Sequence, residues 1–406
     1  MKKIFSYENG IVSLMALTFG VLFFDRLALN YLVPYVAKDL SLNNTQIGLL
    51  AAGLSLAWAF SSYFTTAWSE SKNKNKITFI LAILIFSVCS FGSGLAIGFG
   101  TLLAARLVMG LAEGPVIPLA QVFVERESTP SRLGLNVGIL QAVGGALFGS
   151  ILAPVILIQI AENMGWRTAF YIAGVPGLVL GLIAVFFLKK STTESRGAKN
   201  DTGFALKEIW AYKNIKWGTG LACCVFGWWF ATIPFITKYL TDVQGMSAGD
   251  MQKTMGLLGV AMLVSSLFFP GVSDKIGRKK ALYIAVGLGA FYPFAVYFLN
   301  GSGIHLPAMF LSYAMVGAIP LVAAIVPSEA VPNHLKAKAI GFVTAVAEII
   351  GGVIVPAISG ALSDILDESA FLWVAAFLAV LAVFFLSKLE ETKGKVLAEV
   401  GSEGGQ

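Results

Sequence analysis

ESTPSRLGLNVGILQAVGGALFGSILAP, residues 127–154, and EAVPNHLKAKAIGFVTAVAEIIGGVIVP, residues 329–356, have the same length and share Glu and Pro at the start, Gly in the middle and Pro at the end. After its opening proline each is long and apolar enough for the roughly 20 residues of helix that cross a hydrocarbon core of about 30 Å. Two such stretches in corresponding positions mark an internal repeat, and the polar stretch KKSTTESRGAKNDTGFALKEIWAYKNIK, residues 189–216, lies between them. It is rich in Lys, Ser, Gly and Thr, as connecting segments are. The expected organisation is an amino-terminal six-helix bundle over 1–190, a linker over 191–214 and a carboxy-terminal six-helix bundle over 215–406.

The rest of the chain fits this frame. With 57% hydrophobic residues, 13% charged residues and a mean hydropathy of +0.78, the 406 residues cannot be buried in soluble cores, because folded domains keep a largely polar skin. Twelve apolar runs of membrane-crossing length start near residues 11, 45, 77, 100, 132, 168, 215, 247, 279, 306, 335 and 370. The predicted fold class is therefore an all-α membrane protein of twelve transmembrane helices in two six-helix bundles. Of the 29 Lys and Arg, 23 fall at the termini and after even-numbered runs, whereas Lys38, Arg167, Lys238 and Lys253 fall on the other side. The positive-inside rule then places both termini in the cytoplasm and the chain in the cell (cytoplasmic or inner) membrane. The same distribution, in short loops, argues against a nucleic-acid partner for the net charge of +6. No cleavable signal is apparent, so the first run is expected to stay as the first helix. Cys89, Cys223 and Cys224 lie inside apolar runs and imply no disulfide framework.

The remaining two basic residues are the informative ones. FFDRLALNYLVP (23–34) and RLVMGLAEGPVIP (106–118) carry Asp25, Arg26, Arg106 and Glu113 at bilayer depth. Charge held there is costly unless it is paired or faces a water-filled cavity, so it marks a substrate or proton path. Asp25 and Arg26 are adjacent and point about 100° apart, while Arg106 and Glu113 share a helix face about 10 Å apart along the axis. The arrangement expected is Asp25 with Arg106 and Arg26 near Glu113. Protonating Glu113 would free Arg26 for a substrate carboxylate, so proton uptake and anion capture would favour each other. Glu348 is also at mid-membrane depth, as a second proton site, a contact for a cationic substrate group or a protonated packing residue. Gln141 is a candidate hydrogen-bonding group, and one of Trp228 and Trp229 is a candidate inward-facing aromatic. Lys238 is expected to snorkel, and Glu329 to sit at the cytoplasmic end of the tenth helix. No Walker loop, dinucleotide fingerprint or metal-spaced His and Cys cluster occurs, so no enzyme activity, cofactor or metal site is expected.

GVSDKIGRKK (271–280) matches the loop signature of the major facilitator superfamily, and Arg106, Gly110 and Gly114 match its Arg-x-x-x-Gly-x-x-x-Gly signature. The chain resembles that superfamily over nearly its whole length. Asp274 would cap a helix and pair with Arg278 as a cytoplasmic gate; the first-half loop AWSESKNKNK (67–76) keeps only Glu70 and lysines. The first-helix Asp-Arg pair with Pro34, and the fourth-helix Arg and Glu, are similar to the anion:cation symporter family. That resemblance implies Arg26 as the carboxylate site, Asp25 and Glu113 as proton-coupling acids, Arg106 as the partner of Asp25, and Trp58 as a pocket wall. The function expected is proton-coupled import of a small organic anion, such as an aromatic acid, sugar acid or monocarboxylate, by a monomer working through alternating access. Sodium coupling stays open, and the alternative is a proton-coupled antiporter exporting a drug-like or organic solute.

Overall fold

The computed structural model describes residues 6–129, 131–189 and 206–393, without the side chains of 134, 141–144, 206, 207 and 337. Among them are twelve helices long and apolar enough to cross a membrane, here spans 1 to 12. They are Tyr7–Leu40, Asn44–Ser71, Asn75–Gly94, Phe99–Glu127, Leu135–Met164, Trp166–Phe187, Lys213–Val243, Ala248–Ile276, Arg278–Phe298, His305–Glu329, Lys338–Ile365 and Ala370–Lys388. No strand occurs among the described residues, so the all-α membrane fold agrees with expectation. A single helical turn at Leu206–Ile209 and the start of span 7 at Lys213 fall within the stretch expected as linker; its residues 191–205 lie outside the described ones.

Local chemistry sets the span ends. Ser6 caps span 1 by accepting the Asn9 N–H at 3.2 Å, and span 1 stops at Ser41, whose φ of 51° is left-handed. Asn43 and Gln46 form a reciprocal capping box that starts span 2, with bonds of 2.8 and 3.1 Å. Pro34, Pro176, Pro234, Pro270 and Pro293 sit inside spans, which membrane helices tolerate when neighbours satisfy the freed carbonyls. The repeat seen in the sequence reappears as backbone geometry. Spans 5 and 11 carry π-helical turns over Ala142–Leu152 and Glu348–Ile354, and these end 202 positions apart, the offset between Glu127 and Glu329.

The chain forms two compact units. The first contains the described residues among 1–199 together with Ile233–Val260 and Pro356–Glu368; the second contains those among 200–232, Ala261–Val355 and those from Ser369 on. Glycines set the packing of the first unit, because small residues let membrane helices approach closely. A Cβ at Gly110 would strike the Leu54 carbonyl oxygen, and one at Gly114 would lie 2.5 Å from the Ser62 nitrogen, which locks span 4 against span 2. Gly174 of span 6 fits under the Ser87 carbonyl oxygen of span 3, 2.8 Å from where a Cβ would be. At the other end of this unit Asp364 reaches the start of span 2. It accepts the Asn44 N–H at 2.9 Å, the Thr45 N–H at 2.8 Å and the Thr45 hydroxyl at 2.6 Å.

Candidate functional site

The tight contact of spans 2 and 4 runs along Trp58. A Cβ at Gly110 would be 3.1 Å from the Trp58 nitrogen, and one at Gly114 would be 2.8 Å from its carbonyl oxygen, so the indole is carried beside the face that bears Glu113. Span 1 supplies Arg26. Its guanidinium carbon lies 4.9 Å from the Trp58 ring centroid, and its Nη1 is 3.8 Å from Glu113 Oε2. Arg26 is 9% exposed and Glu113 fully buried. At that distance the two attract without sharing a hydrogen bond, and neither Glu113 oxygen has a hydrogen-bond partner among the described residues. Nor does the Trp58 indole nitrogen.

For Asp25, the residue before Arg26, the expected pairing is corrected. No ion pair joins Asp25 to Arg106 among the described residues. Asp25 Oδ1 instead lies 2.7 Å from the Ser90 hydroxyl of span 3, and the Arg106 guanidinium lies over the Phe170 ring of span 6, 5.0 Å from its centroid. Arg106 Nη1 also approaches the Met109 sulfur at 3.4 Å. A serine on span 3 takes the carboxylate and an aromatic face on span 6 lies against the guanidinium, so Arg106 acts on Asp25 and Glu113 through space. Asp25 Oδ2 and Arg106 Nε and Nη2 are left without hydrogen-bond partners among the described residues. Two acids and two guanidiniums are thus buried together and incompletely bonded, which is costly in low dielectric.

The other candidate contacts are Gln141, Trp228, Trp229 and Glu348. Gln141 is on span 5, with its side chain outside the described ones. Trp228 and Trp229 belong to the second unit: both are buried, the Trp228 indole donates to the Gly289 carbonyl at 3.2 Å and that of Trp229 to the Tyr313 hydroxyl at 3.1 Å. Trp228 also packs its ring 5.2 Å from that of Tyr292 and 5.8 Å from that of Tyr313. Both N–H groups are thus satisfied within the second unit. Glu348 is half-buried in the second unit, three residues before Gly351, which approaches the backbone of Gly227 on span 7.

Around the loop between spans 8 and 9, Arg278 Nη1 meets Asp274 at 2.5 Å and Nη2 meets Glu329 at 2.8 Å. Glu329 ends span 10, the helix end expected for it, and joins this cluster. The start of span 9 is capped by Glu391 rather than Asp274: its carboxylate accepts the Arg278 N–H at 2.8 Å and the Lys279 N–H at 3.1 Å. Burial raises the proton affinity of Glu391, but N–H donors from Lys393, Arg278, Lys279 and Thr392 more than offset it and hold its carboxyl below the usual 4.5.

Ser90, Phe170 and Glu391 escape a reading of the sequence. A serine in SVCSFGSG is unremarkable in a membrane helix, since its hydroxyl can satisfy itself on the preceding turn. Glu391 follows the last span, where a charge is ordinary.

Buried, partly neutralised charge inside twelve membrane-length helices defines a membrane transport protein and not an enzyme. Residues 15–349 match the family model of the Major Facilitator Superfamily, and the chain belongs to that family. It is similar to the hexuronate transporter of Bacillus subtilis (strain 168), with 27% identity over 294 residues, 68% of this chain and 67% of that one. It is equally similar to the sialic acid transporter NanX of Escherichia coli (strain K12), with 27% identity over 372 residues and 88% of each chain. Among solved structures, the D-xylose-proton symporter superposes with a TM-score of 0.78 at 19% identity, covering 97% of this chain and 100% of that one, a likeness of fold.

Proposed function

We propose that this protein is a proton-coupled symporter that imports a small organic anion by alternating access, with Arg26 as carboxylate anchor and Glu113 as the acid that releases it. The bundles that move are residues 1–190 and 215–406, the chain works as a monomer, and both termini face the cytoplasm of a cell whose inner membrane it spans. The observation that carries the reading is the Arg26–Glu113 separation of 3.8 Å without a hydrogen bond. A guanidinium over an indole face still has N–H groups to offer, and its fork suits a carboxylate's two oxygens. When Glu113 takes a proton, its hold on Arg26 is lost and the anion replaces it; when the anion leaves, the proton follows. The relatives named for hexuronate and sialic acid, both sugar acids, support an anionic substrate, and a hydroxylated acid is the class we assign.

Counterflow and pH-step uptake in proteoliposomes test this, using a panel of organic acids that includes D-glucuronate and N-acetylneuraminate. Glu113→Gln is expected to retain counterflow while losing accumulation driven by a pH step, at least tenfold. Arg26→Ala is expected to lose both. Full pH-driven accumulation by Glu113→Gln would falsify the role given to that acid, and wild-type accumulation driven by an outward proton gradient would make the protein an antiporter.

A further inference from the structure

Ser90 is fully buried, as are Asp25 and Phe170. Its Oγ lies 2.7 Å from Asp25 Oδ1 on span 1 and 2.9 Å from the Phe170 carbonyl oxygen on span 6. Both are acceptors while Asp25 is ionised, yet a hydroxyl carries a single hydrogen. The two contacts can both be full two-centre hydrogen bonds only if Asp25 holds a proton and donates it to Ser90 Oγ, so that the serine hydrogen turns to Phe170; with Asp25 ionised, the single hydrogen is at best shared between the two acceptors. With Asp25 ionised, the charged carboxylate is the stronger acceptor, so it draws the serine hydrogen and the link to span 6 weakens.

We propose that Ser90 is a positioning residue whose hydroxyl reports the protonation of Asp25 to span 6, bonding the Phe170 carbonyl when the acid is protonated and weakening that bond when the acid is ionised. This rests on the reading of Asp25 as a proton-coupling group. No atom is transferred beyond the proton itself: it arrives at Asp25, remains on Oδ1, and the serine hydrogen only rotates. The consequence reaches Arg106, because Phe170 is the residue whose ring lies under that guanidinium. The relay also falls where spans 3 and 6 are already close. Gly174, one turn beyond Phe170, would bring a Cβ within 2.8 Å of the Ser87 carbonyl oxygen, so a bond strengthened or weakened at Ser90 acts on a packed seam and not on a loose one. The charged and titratable groups that act on Asp25 are Arg106 and Glu113 of span 4 and Cys89 of span 3, with Arg26 next to it on span 1. Span 5 has no charged residue between Leu135 and Ala161, and on span 6 the one charged residue, Arg167, pairs with Asp39.

Infrared difference spectroscopy of the reconstituted protein during pH titration reads this without a substrate. The protonated carboxyl band of Asp25 is assigned as the one lost in Asp25→Asn. In Ser90→Ala the acid has lost its acceptor, so the band is expected at higher wavenumber. The ionised form loses a charge-assisted bond, stronger than the neutral one, so the proton concentration giving half its intensity is expected to fall about tenfold. Ser90→Cys, nearly the same size but a weaker donor and acceptor, is expected to shift both in the same direction by less, which separates the relay from a packing defect. A band unmoved in position and in midpoint in both variants overturns the role of Ser90 while leaving Asp25 as a proton site. If Asp25→Asn removes no titrating band, the reading of Asp25 itself fails.

Discussion

Arg26 faces two different kinds of partner, an indole surface and a carboxylate just beyond hydrogen-bond reach. A cation over an aromatic face gains about 0.5–2 kcal/mol, more as water is excluded, so the Trp58 ring helps to hold the Arg26 guanidinium in place. Trp58→Phe keeps a weaker face, so uptake of the acid selected by the counterflow panel is expected with KM raised about threefold. Trp58→Leu removes the face, and KM is expected to rise about tenfold with the maximal rate less affected. An unchanged KM in Trp58→Leu would show that the indole does not orient Arg26. At this scale the sequence is informative where chemistry is expensive. Asp25, Arg26, Arg106 and Glu113 stand out because charge in an apolar run is costly. What the sequence does not contain is the rotation of each span about its axis. Sign alone pairs Asp25 with Arg106, whereas a serine of span 3 takes that place. Nor does the spacing of Trp228 and Trp229 reveal that Gly289 and Tyr313 take up their N–H groups.

Between the spans, glycine does the positioning. Gly110 and Gly114 abut backbone atoms of span 2, so a side chain there has no flexible neighbour to displace. Gly114→Val is therefore expected to destabilise the protein by about 1–3 kcal/mol through overpacking, read as a lower Tm in detergent. Transport should fall further than stability does, since separating spans 2 and 4 draws Trp58 away from Arg26 and Glu113. Gly100 is on the same span, and a Cβ added there would meet nothing within 4 Å; Gly100→Ala is expected to leave both Tm and uptake near wild type. Equal losses in the two variants would refute the close-packing argument. This level is legible in part. The glycine spacing on span 4 is a recognisable signature, but that it delivers Trp58 to the site depends on which neighbour it meets. The capping of span 9 by Glu391 joins residues 113 positions apart, a pairing with no local trace in the sequence.

Across the whole molecule, the repeat and the twelve apolar runs are legible because lipid demands long apolar helices with every backbone group satisfied internally. The grouping of their ends is not, since it depends on contacts and not on composition. Segments Ile233–Val260 and Pro356–Glu368 pack with the first half of the chain, and the contacts that hold them there are specific. The Thr237 hydroxyl donates to the Asn30 carbonyl at 2.6 Å. A Cβ at Gly259 or Gly360 would strike the backbone carbonyl of Ser150 or Asn44. Asp364 holds the first two N–H groups of span 2, where a carboxylate also meets the positive end of the helix dipole. Under alternating access these bonds must break in every cycle, so weakening them should change the balance of conformations before it changes the fold. Asp364→Ala removes three hydrogen bonds to one carboxylate, and Asp364→Asn leaves one acceptor oxygen in a similar place. For spin labels attached at positions 43 and 367, the ratio of short to long distances is expected to fall about tenfold in Asp364→Ala and less in Asp364→Asn, a shift of the size expected for losing bonds to a charged group at a wet surface. Because Arg26 and Glu113 are untouched, counterflow should persist with altered KM. Identical distance distributions in all three proteins would mean that the glycine seams alone hold these segments together.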